Sequence, residues 1–115
     1  MYTVKYYKTR RGEDLVKTFK DQQPKKAQTK MAKHEALLAE HGPNLHRPYA
    51  DYLRDDIYEL RVKFSPNNYR ILYFFFKNKT IIMTHGIIKN RGPVGDTEID
   101  RAIKYKREFE EDYDA

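Results

Sequence analysis

The sequence predicts an α+β fold in which N-terminal helices and one C-terminal helix pack on an antiparallel sheet. Apolar residues recur at helical spacing in the first half of the chain and again after residue 96, whereas strand-like apolar segments follow one another between residues 57 and 88. Short turn sequences separate these segments, so the strands are expected to pair as an antiparallel meander. At 115 residues, the chain is predicted to be a single domain over 1–115.

The first half of the chain is predicted to contain one strand and two helices. Residues 3–8 alternate polar and apolar side chains, as a strand does. Apolar spacing predicts a short helix around 15–19 and a second helix over 24–41, because Pro suits the first position of a helix and Gly42 suits its end. The polar segment 44–56 is expected to be an irregular connection.

Three strands are predicted over 57–64, 69–76 and 80–88, joined by turns at 65–68 and 77–79. The middle strand is apolar on both faces, which indicates a central strand that is covered on each side.

The chain is predicted to end in a loop, a helix and an acidic tail. After the glycine-containing loop 89–95, Asp96 or Thr97 is positioned to cap a last helix. The acidic tail 108–115 is expected to be mobile, or to fold back over the cations of the sheet in place of phosphate.

Composition favours a cytoplasmic protein that binds polyanions. Residues 1–107 contain 23 basic and 12 acidic residues, a net charge of +11. Such a positive field attracts RNA, DNA or ribosomal surfaces, although basic proteins are also common for reasons of solubility. The sequence contains no cysteine, and its longest apolar run is too short to span a membrane, so the cytoplasm is the expected compartment.

Cationic side chains on the predicted strands form a candidate phosphate site. By strand alternation, Glu59, Arg61 and Lys63 share one face, opposite the apolar side of the sheet. Arg70 opens the next strand, where an unused charge among apolar neighbours would be costly. Arginine suits phosphate because its planar fork donates two hydrogen bonds at once. The alternative is a solvated sheet face on which Glu59 merely pairs with an arginine.

The third strand adds further candidates. Lys89 and Arg91 extend the positive charge into the following loop, and His85 has the strand parity of Lys89. His85 is either a core residue or an acid-base group. The chain has a single serine, in a turn, so a serine or cysteine nucleophile is excluded. The histidines lack ligands at metal-binding spacing, and no metal site is predicted.

Five short motifs follow one another across residues 12–107. They are Gly42 with Leu45 and Pro48, then Glu59-Leu60-Arg61, Tyr69-Arg70-Ile71-Leu72-Tyr73-Phe74, His85-Gly86 with Lys89, and Glu98-Ile99 with Ala102. In order and spacing they resemble the HigB-like, phage-derived branch of the RelE/ParE superfamily of toxins from toxin-antitoxin pairs. The chain departs from that pattern in the loop after Gly86, where Asn90 stands in place of a usual cation and Arg91 is the nearest substitute.

The resemblance implies a RelE-like compact microbial RNase fold and a ribosome-dependent endoribonuclease that cuts messenger RNA in the A site. It also implies a hetero-oligomer with a helix-turn-helix, HigA-like antitoxin. Arg61, Arg70 and Lys89 would surround the scissile phosphate. Proton transfer is expected of Lys63, Lys89 or His85. The residues expected to contact the RNA are Glu59, Tyr69, Asn90 and Arg91.

The RNA itself supplies the nucleophile as its 2′-hydroxyl, so no metal or other cofactor is expected. Two alternatives remain open at this point. ParE-like toxins of the same superfamily poison DNA gyrase without cleaving RNA, and a basic domain can also bind RNA without any catalysis.

Overall fold

A computed structural model describes residues 1–114 as one five-stranded sheet with helices on both faces. The elements, in chain order, are β1 (Thr3–Tyr6), α1 (Leu15–Asp21), α2 (Lys25–His41), a 3-10 turn (Gly42–Asn44), β2 (Ala50–Arg54), β3 (Ile57–Phe64), β4 (Asn67–Phe76), β5 (Thr80–Ile88) and α3 (Asp96–Asp114). The strand order is β1-β5-β4-β3-β2, and every neighbouring pair is antiparallel except β1 and β5. The predicted α+β class is confirmed. None of the helices within these residues is long and apolar enough to cross a membrane.

Local sequence sets the limits of these elements. The side chain of Asp14 caps α1 by accepting a hydrogen bond from the Lys17 amide at 3.0 Å. Gly42 ends α2 with a φ of +52°, and a Cβ there would lie 2.4 Å from the ring of Tyr2. Asn78 adopts a positive φ in the predicted turn between β4 and β5. The three predicted strands of the meander and the end of α2 are therefore confirmed.

The prediction of an irregular connection over 44–56 is wrong, because this segment contains β2. β2 pairs antiparallel with β3, with Ala50 opposite Leu60 and Tyr52 opposite Tyr58. It is an edge strand with only one pairing partner, and its side chains are largely polar or partly exposed. An edge strand of this kind lacks the apolar alternation that identifies a buried one.

Two hydrophobic cores lie on opposite faces of the sheet. Tyr69, Ile71 and Tyr73 of β4 enter the core under α1 and α2, whereas Leu72 and Phe74 enter the core under α3. The prediction that β4 is central and covered on both sides is confirmed. The expectation that one face would be apolar and the other cationic is wrong: the α3 core occupies most of the second face, and the cations lie at its end.

The acidic end of the chain is helical as far as the structure describes it. Up to Asp114 it continues α3, which differs from the expected mobile tail; residue 115 lies outside the described residues. The hydroxyl of Tyr7 donates to Glu108 at 3.0 Å, and Arg10 pairs with Glu111 and Asp112 at 3.0 and 3.1 Å. These acids contact the segment that follows β1, so they do not cover the predicted phosphate site.

Candidate active site

The cations predicted from the sequence meet at one end of the sheet. Arg61 of β3 lies directly opposite Arg70 of β4, and Lys63 lies opposite Asn68. Lys89 follows β5. Its amide donates a hydrogen bond to the carbonyl of Asn68 at 2.9 Å, which holds Lys89 beside Lys63 and Asn68. Because residues two apart on a strand share a face, these side chains emerge on the same side of the sheet as α3.

A buried carboxylate balances the arginine pair. Oε1 of Glu59 accepts a hydrogen bond from Nη1 of Arg70 at 2.7 Å, and its Oε2 lies 4.0 Å from Nε of Arg61. Glu59 is 2% exposed and Arg70 is 7% exposed. Like charges opposite one another on adjacent strands repel, so this shared counter-ion is what allows both arginines to point the same way. Glu59 thus pairs with arginine, one of the two roles considered from the sequence.

Two pockets adjoin the arginine pair. The first has a volume of about 270 Å³ and is lined by Arg61, Arg70, Lys63 and Pro48, among others. The second, of about 350 Å³, lies between the arginines, β2 and the loop 92–94. Arg61 and Arg70 therefore form the common wall of two open pockets, a position from which their guanidinium groups can hold an anion.

His85 lies in the α3 core, where it does not line either pocket. It is 1% exposed, with Nε2 3.0 Å from Oε1 of Glu98 and Nδ1 3.0 Å from Oγ1 of Thr84. Burial lowers the pKa of His85, and the nearby charge of Arg101 lowers it further, while the hydrogen bond to the Glu98 carboxylate opposes that shift. Of the two roles considered for His85, the structure supports a core histidine.

The residues expected to contact RNA are dispersed. Tyr69 is 1% exposed on the opposite face, and its ring packs edge-to-face on Phe19 at 6.0 Å, so the expected RNA contact by its side chain is wrong. Asn90 instead joins two backbone segments: its Oδ1 accepts from the Asn68 amide at 2.8 Å and its Nδ2 donates to Asn67 at 3.2 Å. Arg91 follows it in an exposed part of the loop.

Sequence reasoning missed the β2 side of the site. Arg47, Asp51 and Tyr52 line the second pocket, and Arg47 pairs with Asp51 at 2.8 Å. Apolar and polar side chains do not alternate strictly within Ala50–Arg54, so no local signal identified this strand.

The main chain of Arg61 is fixed from both sides by residues that the prediction left outside the site. Nδ1 of His34 lies 3.0 Å from the Arg61 carbonyl, and the Arg61 amide donates to the Tyr49 carbonyl at 2.7 Å. The rings of His34 and Tyr49 pack edge-to-face at 5.5 Å. Burial lowers the pKa of His34, and the charge of Lys30 lowers it further, while the hydrogen bond to the Arg61 carbonyl opposes that shift.

No group of three or more His, Asp or Glu side chains arranged to hold a metal ion occurs within residues 1–114.

Comparisons with known proteins identify a family for this sequence and a similar fold. A family model described as "Phage derived protein Gp49-like (DUF891)" matches residues 18–107. A search of curated protein sequences gave no significant match. Among solved structures, a chain of the archaeal RelE-RelB complex from Pyrococcus horikoshii OT3 is similar, with a TM-score of 0.56 and 21% sequence identity over 79% of this chain and 98% of that one. The fold is therefore RelE-like. The motif resemblance found in the sequence is confirmed at the level of the family, and the chain belongs to the Gp49-like family of phage-derived proteins.

Proposed function

We propose that this protein is the toxin of a type II toxin-antitoxin pair and that it cleaves messenger RNA in the ribosomal A site. The observation that carries the proposal is the cross-strand pair Arg61 and Arg70, held by the buried carboxylate of Glu59 beside two open pockets. The net charge of +11 over residues 1–107 favours the approach of RNA. The RelE-like fold and the Gp49-like family support the same reading.

The chemistry needs little from the protein beyond positioning and charge. The 2′-oxygen of the RNA bonds to the adjacent phosphorus as its proton leaves, and the P–O5′ bond breaks as O5′ gains a proton, which yields a cyclic phosphate and a free 5′-hydroxyl. Arg61 and Arg70 would stabilise the added negative charge of the pentacovalent phosphorane. Lys63, which lines the first pocket, and Lys89 are the groups we propose for proton transfer.

Glu59 prepares Arg70 for this task before RNA arrives. A guanidinium group has five N–H donors, and the pairing with Glu59 engages Nη1. The side chain is therefore oriented in advance and still has donors for a phosphate oxygen. Such preorganisation reduces the rearrangement needed in the transition state.

Primer extension on a defined messenger in a reconstituted translation system tests the proposal. We expect cuts that require the ribosome and that fall about 100- to 1000-fold with Arg61→Ala, the magnitude typical of losing one donor to a transition-state anion. Arg70→Lys is the second variant, because it keeps the charge beside Glu59 but loses the planar fork. Arg107→Ala, at an exposed position on α3, is the matched control and should cut as the wild type does.

Absence of ribosome-dependent cuts from the folded wild-type protein would contradict the proposal. Inhibition of gyrase in a supercoiling assay would then identify a ParE-like toxin. Salt-dependent RNA binding without cleavage would identify a non-catalytic RNA-binding module.

A helix-turn-helix antitoxin is the partner that this proposal implies. The RelE chain in the similar solved structure is in a complex with RelB, which supports an antitoxin for this chain as well. We expect that co-expression of a neighbouring reading frame encoding such a protein suppresses growth arrest and that the two chains purify together. Growth arrest unaffected by every neighbouring frame would count against a toxin-antitoxin pair.

A further inference from the structure

We propose that a groove between α2 and the adjoining edge of the sheet is a second RNA subsite, which holds a base of the single strand that continues from the scissile phosphate. This inference rests on the proposed function and extends it. The groove, called the α2 groove below, has a volume of about 470 Å³. The residues that define it are Lys26, Lys30, Lys33, Leu37, Tyr49 and Phe64.

The α2 groove combines an apolar floor with a cationic rim. Lys26, Lys30 and Lys33 are four and three residues apart, so they lie along one face of α2. Leu37 and Phe64 contribute the apolar part of the lining. None of the described residues that line the groove is acidic. Cations that follow a backbone and an apolar or aromatic surface that receives bases are the two features by which proteins bind single-stranded nucleic acid.

Tyr49 provides the stacking surface. Its ring is held edge-to-face against His34, and 40% of the residue remains exposed. An exposed tyrosine in a soluble domain needs no explanation when it stands alone. Here the ring is oriented by a neighbour and flanked by lysines, so it can receive the face of a base while the lysines contact the adjoining phosphates.

The α2 groove lies on the opposite face of the sheet from the arginine pair, and the two adjoin the same end of β3, at Phe64 and Lys63 respectively. Nζ of Lys30 donates a hydrogen bond to the Lys63 carbonyl, and His34 and Tyr49 both contact the main chain of Arg61. An RNA strand that leaves the arginine pair past Lys63 would pass around this end of β3 to reach the rim of the groove. The shared end of β3 favours RNA over an acidic protein segment, which the lysines alone would also attract.

Binding of uncleavable RNA of two lengths tests the subsite. The probes are a 2′-O-methyl trinucleotide, which is long enough only for the arginine pair, and a 2′-O-methyl oligomer of about ten nucleotides, within the range that one single-strand site accommodates. The variants are Tyr49→Ala and the double variant Lys26→Gln/Lys33→Gln, which spares Lys30 because of its bond to β3. The control is Lys5→Gln/Lys104→Gln, which removes the same charge at exposed positions on β1 and α3.

We expect Tyr49→Ala to weaken binding of the longer RNA by roughly five- to a hundredfold, the effect of losing one stacked base, and to leave the trinucleotide nearly unchanged. The groove lysine variant should reduce the slope of log K against log salt by about 1.4, which corresponds to two single-strand phosphates, and the control should reduce it less. Circular dichroism of each variant checks that the fold is retained.

Affinity for the longer RNA that falls no further in the groove variants than in the control would overturn the subsite. So would a loss of binding to a glutamate-rich peptide with RNA binding intact, because the groove would then serve a protein partner. Arg61→Ala separates these results from failure of the proposed function, because it should lower the affinity for both RNAs. Unchanged affinity for both RNAs would contradict the phosphate site at the arginine pair, and with it the subsite that extends from this site.

Discussion

Glu59 and Arg70 form a buried ion pair at the centre of the candidate active site, with Oε1 and Nη1 2.7 Å apart. The pair has two consequences for the fold. It neutralises a carboxylate that is almost entirely inaccessible to water, and it offsets the repulsion between Arg70 and Arg61 on the neighbouring strand. Arg70 therefore belongs to the fold and to the site at once, and the two contributions have to be measured separately.

A double-mutant cycle on Glu59→Gln and Arg70→Gln measures the contribution to the fold. Removing one member leaves the other as an uncompensated buried charge, so each single variant should lose about 3–5 kcal/mol of unfolding free energy. The double variant should lose clearly less than the sum, since neither charge remains. Urea unfolding of the four proteins gives the values. Additive losses would show that the two side chains do not act as a pair.

Lowered histidine pKa values predict that stability falls on mild acidification. Burial holds the pKa of His85 below its unfolded value of about 6.5, so the unfolded chain takes up the proton first as pH falls. Stability should be constant above about pH 6.5 and should decrease below it by up to about 1.4 kcal/mol per pH unit, until the native pKa is passed. His34, whose pKa is also lowered, adds to the decrease.

Urea unfolding from about pH 7.5 to about pH 5.5 measures this dependence, above the range in which ordinary carboxylates titrate. His85→Gln should be less stable than the wild type at neutral pH but should depend less steeply on pH. Identical pH dependence in the variant and the wild type would exclude His85 as a source of the effect.

Gly86 packs closely against Phe19: a Cβ built on it would lie 2.4 Å from the ring of Phe19. We expect Gly86→Ala to destabilise the protein by about 1–3 kcal/mol, as overpacking of a filled core does. In a Phe19→Leu background, where the ring is absent, the same substitution should cost less. Thermal unfolding is a sufficient readout, and Gly95→Ala is the control because a Cβ there meets nothing within 4 Å. An equal loss of stability in both backgrounds would show that Gly86→Ala does not act through the ring of Phe19.

The central strands were predictable because local signals agree there. Turn residues bound β3, β4 and β5, and the two-sided apolar pattern of β4 indicates its central position. β2 was missed because a single pairing partner holds it in place and its own residues are largely polar. The decisive information for such a strand lies in its pairing with β3, and the residues of β2 alone do not contain it.

The part of the candidate site that depends on strand parity was predictable from the sequence. Parity places Arg61 and Arg70 on the α3 face, and it also places Tyr69 on the opposite face from Arg70, which the expected RNA contact overlooked. The position of His85 depends on the approach of Glu98 from α3, a contact that strand parity does not specify. Counter-ions and covering helices are long-range features, and they decide which of several titratable residues reaches the solvent.

Asn90 predicts a link between loop order and activity. Its side chain accepts from the Asn68 amide at 2.8 Å and donates to Asn67 at 3.2 Å, directly after Lys89. Asn90→Ala should speed amide exchange at Asn68 by about fivefold, the loss of a hydrogen bond worth about 1 kcal/mol, and should lower RNA cleavage because Lys89 is less well placed. Amide exchange by NMR and primer extension measure the two effects, with Asn44→Ala at an exposed turn as the control. Slower cleavage with unchanged exchange at Asn68 would instead indicate that Asn90 contacts the RNA itself.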